Sequence, residues 1–238
     1  MRRVLLALAL VGLLGLAGCT GGPIDERALS EPATYDWNTT TDVHVNVTDG
    51  RYHAVVSIGN RTNATLALFG PGGVGGRAPL AVRAVQYRYP NGTVLNASAL
   101  RVTVSGDRTV ITAPVAAGKI AYTAQVRSNR LFVPVTVNGS YSVTLPAGTG
   151  VRAPVIGDVA PAGYEVTRQG DRVRVVWATP ESEIITVDYY RKRNRSIFLG
   201  LLGLIGLIAV AGLLYFRSQI RNLERKTGDL APENGDGR

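Results

Sequence analysis

The chain has 238 residues and a formal net charge of +9, but the charge does not lie where a nucleic-acid surface would need it. From Thr20 to Tyr190 there are 15 Lys and Arg against 13 Asp and Glu, so the excess flanks apolar segments at the ends; with no basic patch interleaved with aromatics, a nucleic-acid partner is not expected. A single cysteine excludes an internal disulfide, and two histidines with one initiator methionine exclude a blue-copper centre; no metal or organic cofactor is expected.

Met1-Arg2-Arg3 followed by the apolar run Val4 to Ala17 reads as a signal peptide over residues 1–18. Its end, Leu16-Ala17-Gly18-Cys19, resembles a lipobox, in which cleavage after small residues frees a cysteine whose sulfur is alkylated to a thioether. Cys19 is therefore the candidate lipidation residue. Residues 19–34 read as a tether.

Period-2 alternation broken by turn dipeptides then fills the chain up to Tyr190. The clearest stretch is Asp42 to Ile58. A two-residue turn at Asp49-Gly50 pairs Val47 with Tyr52, Val45 with Ala54 and Val43 with Val56 on one face. The same register sets Asn46 opposite His53 and His44 opposite Val55 on the other, which a glycan on Asn46 requires to be wet. Further hairpins are expected around Pro90-Asn91-Gly92, Ser105-Gly106-Asp107, Asn138-Gly139 and Gln169-Gly170-Asp171, with a last strand from Ile184 to Tyr190. Frequent turns without crossover helices predict an all-β fold of antiparallel sandwiches. A break at Arg127-Ser128-Asn129-Arg130 divides it into a module over 35–126 and a second β module over 127–190.

After a juxtamembrane stretch, 191–196, Ile197 to Phe216 runs 20 residues without a charge. As a helix this spans about 30 Å, the hydrocarbon thickness of a bilayer, so one C-terminal transmembrane helix is predicted. Four basic residues flank it on each side, so the positive-inside rule gives no orientation. The asparagines do. Eight of the 11 begin Asn-x-Ser/Thr sequons, where chance gives about one. All lie between the two apolar segments. The glycosylation candidates are Asn38, Asn46, Asn60, Asn63, Asn91, Asn96 and Asn138; Asn194 sits too near the membrane for use. Residues 20–196 are thereby expected outside the cell membrane, with the 217–238 tail in the cytoplasm.

Three stretches could carry chemistry. Gly70-Pro71-Gly72-Gly73-Val74-Gly75 fits the G-x-G-x-x-G spacing, but Arg77-Ala78-Pro79 follows in place of a helix, and no acid occurs between Asp49 and Asp107. It reads as a loop between strands. His44 and His53 share a strand face without a defined third ligand, and read as solvated strand residues. Glu181 and Glu183, at i and i+2 on one strand face, are the pair an extracytoplasmic carboxylate-dependent hydrolase would use. A polar strand edge is the commoner meaning, so no catalytic residue is assigned and the protein is expected to be non-enzymatic.

Tyr35-Asp36-Trp37 after the tether, Arg88-Tyr89-Pro90-Asn91-Gly92-Thr93-Val94, Gly139-Ser140-Tyr141, Pro161-Ala162-Gly163-Tyr164-Glu165 and Asp188-Tyr189-Tyr190 before a membrane helix form a recognisable series. It resembles an uncharacterised haloarchaeal cell-surface family, domain-of-unknown-function family 5803. None of these motifs carries assigned chemistry. The resemblance supplies a cell-surface context and no active site; with the span and the sequons, the chain reads as a non-enzymatic membrane-anchored, N-glycosylated cell-surface protein, with membrane lipid and other envelope proteins or glycans expected as partners.

Overall fold

The computed structural model describes residues 24–48, 50–59, 64–151 and 158–228. Cys19, Asn60 and Asn63 lie outside them.

The valine alternation of the first hairpin sets the register that the sequence requires. Strands β1 (Val43–Val47) and β2 (Arg51–Ser57) pair Val47 with Tyr52, Val45 with Ala54 and Val43 with Val56, and place His44 opposite Val55 and Asn46 opposite His53. Each inward residue of these pairs is buried, and a buried valine contributes roughly 1.5–3 kcal/mol. Strand β3 (Thr65–Pro71) turns back into β4 (Arg77–Pro79) through the glycine-rich segment, which makes one 3-10 turn at Gly73–Gly75. Gly72 is required there because a Cβ would stand 2.8 Å from the Arg77 carbonyl oxygen. Two hairpins follow as expected, β5 (Arg83–Arg88) with β6 (Val94–Asn96), and β7 (Arg101–Ser105) with β8 (Arg108–Thr112).

Strand β9 (Lys119–Gln125) leads into β10 (Arg130–Pro134) across the segment expected to separate two modules. It is a tight turn, with Ser128 and Asn129 at φ +51° and +60° and Arg130 N donating to Arg127 O at 3.0 Å or less (2.9 Å). Paired positive φ angles of this kind make a type I′ turn, and here it carries the chain from one layer to the other. The strands beyond it are β11 (Tyr141–Thr144), β12 (Thr149–Gly150), β13 (Val159–Ala160), β14 (Tyr164–Gln169), β15 (Arg172–Trp177), β16 (Ile184–Asp188) and β17 (Tyr190–Arg191). They return to the same sheets. One layer is an eight-stranded sheet of order β14-β15-β11-β1-β2-β9-β5-β6. The other is made of β10-β16-β13 and β4-β3-β8-β7, with β10 beside β3. Residues from both sides of Arg127 share one core, including Val45, Tyr87, Ile111, Val143, Trp177 and Ile185. The two expected modules are thus one compact unit, which ends at Tyr190.

The hairpin expected around Asn138-Gly139 does not form. Strand β10 pairs with β16, and β11 lies parallel to β1, the one parallel pairing in an otherwise antiparallel sheet. Tyr141 explains the departure. Its hydroxyl donates to Val137 O at 2.8 Å and accepts from Thr136 N and Val137 N, fixing a corner four residues back. Gly139, at φ +146°, is pressed against Asp42, whose Oδ2 would lie 2.4 Å from an added Cβ. Ser140 N donates to that carboxylate at 2.8 Å, so the kink hands the chain from one layer to the start of β1.

The C-terminal helix, α2 (Lys192–Gly228), contains the stretch Gly200–Arg217, which is long and apolar enough to cross a membrane.

Candidate functional site

The tether expected up to residue 34 is folded from Ile24 onward. A single helical turn, α1 (Glu26–Leu29), is capped by Asp25, whose Oδ1 accepts from Arg27 N and Ala28 N at 3.1 and 3.3 Å. Ala28 and Leu29 are buried. Residues 31–42 then form an extended strap across the outer face of the eight-stranded sheet, fastened through side chains. Arg83 grips Glu31 with two nitrogens, Nε at 3.0 Å and Nη2. Gln86 Nε2 donates to Ala33 O at 3.0 Å; Lys119 Nζ donates to Trp37 O at 2.7 Å and contacts Thr39 Oγ1 at 3.0 Å. Arg174 Nη2 reaches Thr40 Oγ1 at 3.0 Å. Beneath them Tyr35, Val55 and Ala121 make a small apolar cluster of their own. With Val55 only 2% exposed, that part of the outer face is dry, contrary to the expectation of a solvated hairpin surface.

Both sequence-predicted histidines lie under or beside the strap. The Tyr35 hydroxyl donates to Ala84 O at 2.6 Å, so it must accept from Thr123 Oγ1 at 2.9 Å, and Thr123 in turn accepts from His53 Nδ1 at 3.0 Å. A parallel chain runs from His44 Nδ1 through Ser142 Oγ at 2.8 Å and Thr41 Oγ1 at 2.7 Å to Val43 O at 3.0 Å. Each histidine is thereby the Nδ1–H tautomer. Burial holds the His44 imidazole below its ordinary pKa, and Arg174 and Arg172 add to this against the pull of Asp36. Burial, then Arg51, does the same to His53. Burial also pushes the Tyr35 phenol up to about 12. Ala84 accepts the Tyr35 proton from a left-handed conformation, φ +50°, at the bulge where β5 slips register against β9. These groups order the strap; among the described residues no cluster of three or more His, Cys, Asp or Glu could hold a metal ion.

The other predicted residues are scattered. Asn38, Asn91, Asn96 and Asn138 are exposed, three of them in turns or loops and Asn96 at the end of β6. Asn46 is half-buried, and its Oδ1 accepts from Arg172 Nη2. Glu181 and Glu183 are exposed and stand in bends before β16 rather than on a strand, and Glu183 is ion-paired to Arg77. A cavity of about 320 Å³ opens beneath α1, lined chiefly by Ile24, Leu29, Leu80, Val82, Val102 and Val104.

Glu31 of the strap and the β9 residues Lys119 and Thr123 that hold it down were not singled out from sequence, and Tyr35 was noted only as part of the Tyr35-Asp36-Trp37 motif. A signal existed in the charge pattern: residues 31–42 hold three acids and no base, whereas residues 50–106 hold six bases and no acid. A search of curated proteins found no match. The strands that carry this site and the helix that follows them lie within a match, over residues 39–234, to DUF5803, and the chain belongs to that family of unknown function.

Proposed function

We propose that this chain is a membrane-anchored, N-glycosylated cell-surface protein whose β unit works outside the membrane by binding, without catalysis. One observation carries the reading. A self-contained β unit stops at Tyr190 and is followed directly by a helix that is long and apolar enough to span a bilayer, while the unit presents four sequon asparagines to solvent. Such a unit needs no second module to bury its core, and asparagines in exposed turns are open to a transferase. Membrane lipid holds the protein, through the helix and through Cys19 if that thiol is alkylated. Other envelope proteins or glycans are its partners.

Peptide mass spectrometry of the protein from its native membrane tests this. Glycan is expected on Asn38, Asn91, Asn96 and Asn138 and not on Asn46, with protease added to intact cells removing the β unit and sparing the tail. Bare asparagines at all four positions, together with protection of the β unit in intact cells, would sink the proposal.

A further inference from the structure

The cavity of about 320 Å³ is lined by α1, by the link from β4 to β5 and by β7. Its size falls at the lower end of small-ligand sites, about 300–1,000 Å³. Register sets Val102 and Val104 opposite Ile111 and Thr109, which are buried, so both valines point to the inner side of their layer. Val104 is nonetheless 44% exposed. With Ile24, Leu29, Leu80 and Val82 these valines make an aliphatic wall that the fold leaves open.

The polar side chains of the lining are committed elsewhere. Asp25 caps α1, Arg83 grips Glu31, and Thr109 Oγ1 donates to Leu80 O at 2.8 Å. Gln125 stands exposed at the end of β9. Arg83 is the one cation among the described lining residues, so a free lipid with an anionic headgroup would find no partner for its charge. A plain hydrocarbon chain fits this lining, and a polar metabolite does not.

We propose that the occupant is the alkyl chain carried on Cys19, which completes the core of the β unit from outside the polypeptide. The inference rests on the alkylation of Cys19 in the functional proposal above. Cys19 precedes Ile24, a residue of the cavity wall, by five residues, and five residues reach at most about 17 Å. A tether that short holds the chain at an effective concentration on the order of millimolar, favouring it over an untethered competitor. Anchoring does not require that chain to enter the bilayer: one lipid chain binds a membrane marginally, whereas an inserted helix is held almost irreversibly. Nothing in the fold has to move, since the cavity is open with α1 and every strand in place.

The test uses the full mature chain from Cys19 onward, in detergent, with its single thiol free. A dodecyl maleimide carrying a terminal diazirine joins that thiol through a thioether and, on irradiation, marks what the end of the alkyl chain touches. Adducts are expected on the peptides holding Leu80, Val82, Val102 and Val104. Alkylation should also raise the melting temperature of the β unit by about 2–4 °C or more. Both effects should be lost in Val104→Trp, in which an indole takes up the mouth, with the circular dichroism of the β unit unchanged. Adducts confined to detergent or to α2 in a folded chain would overturn the proposal, and so would adducts that persist in Val104→Trp. The adduct map of the unsubstituted chain decides the matter by itself. The mass of the N-terminal peptide from the native membrane separates the two proposals. An unmodified Cys19 removes the alkyl chain and this inference with it, and leaves the glycan and topology arms of the functional proposal standing. An alkylated Cys19 whose probe marks other surfaces overturns this inference alone.

Discussion

One hydroxyl organises the strap. Tyr35 donates to a carbonyl held in left-handed conformation and accepts from Thr123, with its ring edge-on to His53 at 5.6 Å and to Trp37 at 5.8 Å. Tyr35→Phe keeps the ring and leaves Ala84 O and Thr123 Oγ1 without their buried partner. A loss of about 1–3 kcal/mol in denaturant stability is expected, with increased proteolysis of the strap. The histidines add a pH dependence whose sign follows from their environment. Folded pKa values below the ordinary 6.5 mean that the unfolded chain binds more protons. Stability is therefore full above about pH 6.5 and falls as pH drops through the depressed folded values. Glu31 acts in a lower window, because Arg83 holds its carboxyl below the usual range and its contribution is lost only as that acid protonates. The His44→Gln, His53→Gln double variant should flatten the fall in melting temperature that sets in below about pH 6.5 and leave the carboxylate limb in place.

At the scale of elements, the sheet order turns on corners. The β1–β2, β5–β6, β7–β8 and β14–β15 hairpins were legible because a two- or three-residue turn with an alternating run on each side admits one register. The segment from Val133 to Leu145 looked the same and is different, because Tyr141 bonds backward to Val137 and Asp42 takes the Ser140 amide. Both ties reach residues that alternation does not weigh. Tyr141→Phe removes three hydrogen bonds from this corner, two of them at buried Val137. The expected cost is about 1–3 kcal/mol, read by thermal unfolding, and amide exchange should quicken in β11 before it does in the β1–β2 hairpin.

On the scale of the whole chain, the β unit owns its core. Trp177 is fully buried, with its indole N–H donating to Pro161 O at 3.0 Å, and its neighbours come from strands on both sides of Arg127. A chain ending at Tyr190 is therefore expected to fold alone, with the near-ultraviolet signature and melting temperature of the full-length protein. A truncation near Val126 should not fold, since it would strip β11, β14 and β15 from the large sheet. A soluble 24–126 fragment with cooperative unfolding would contradict the single-unit architecture.

Local periodicity by itself determined the all-β class, four hairpins, the register of the first of them and the apolar helix, because each depends on residues within about 20 positions of one another. It also determined where sequon asparagines cluster, since those are a matter of composition. Tertiary structure alone decided that residues 31–42 lie on the sheet, that β1 and β11 run parallel, and that the outer face is half-covered. These rest on contacts 52 to 134 residues apart, such as Glu31 with Arg83, Asp42 with Ser140, and Thr40 with Arg174. A strap bound by charge and hydrogen bonds leaves no period in the sequence, and only the folded sheet, by gathering cations from four strands onto one face, gives it somewhere to lie.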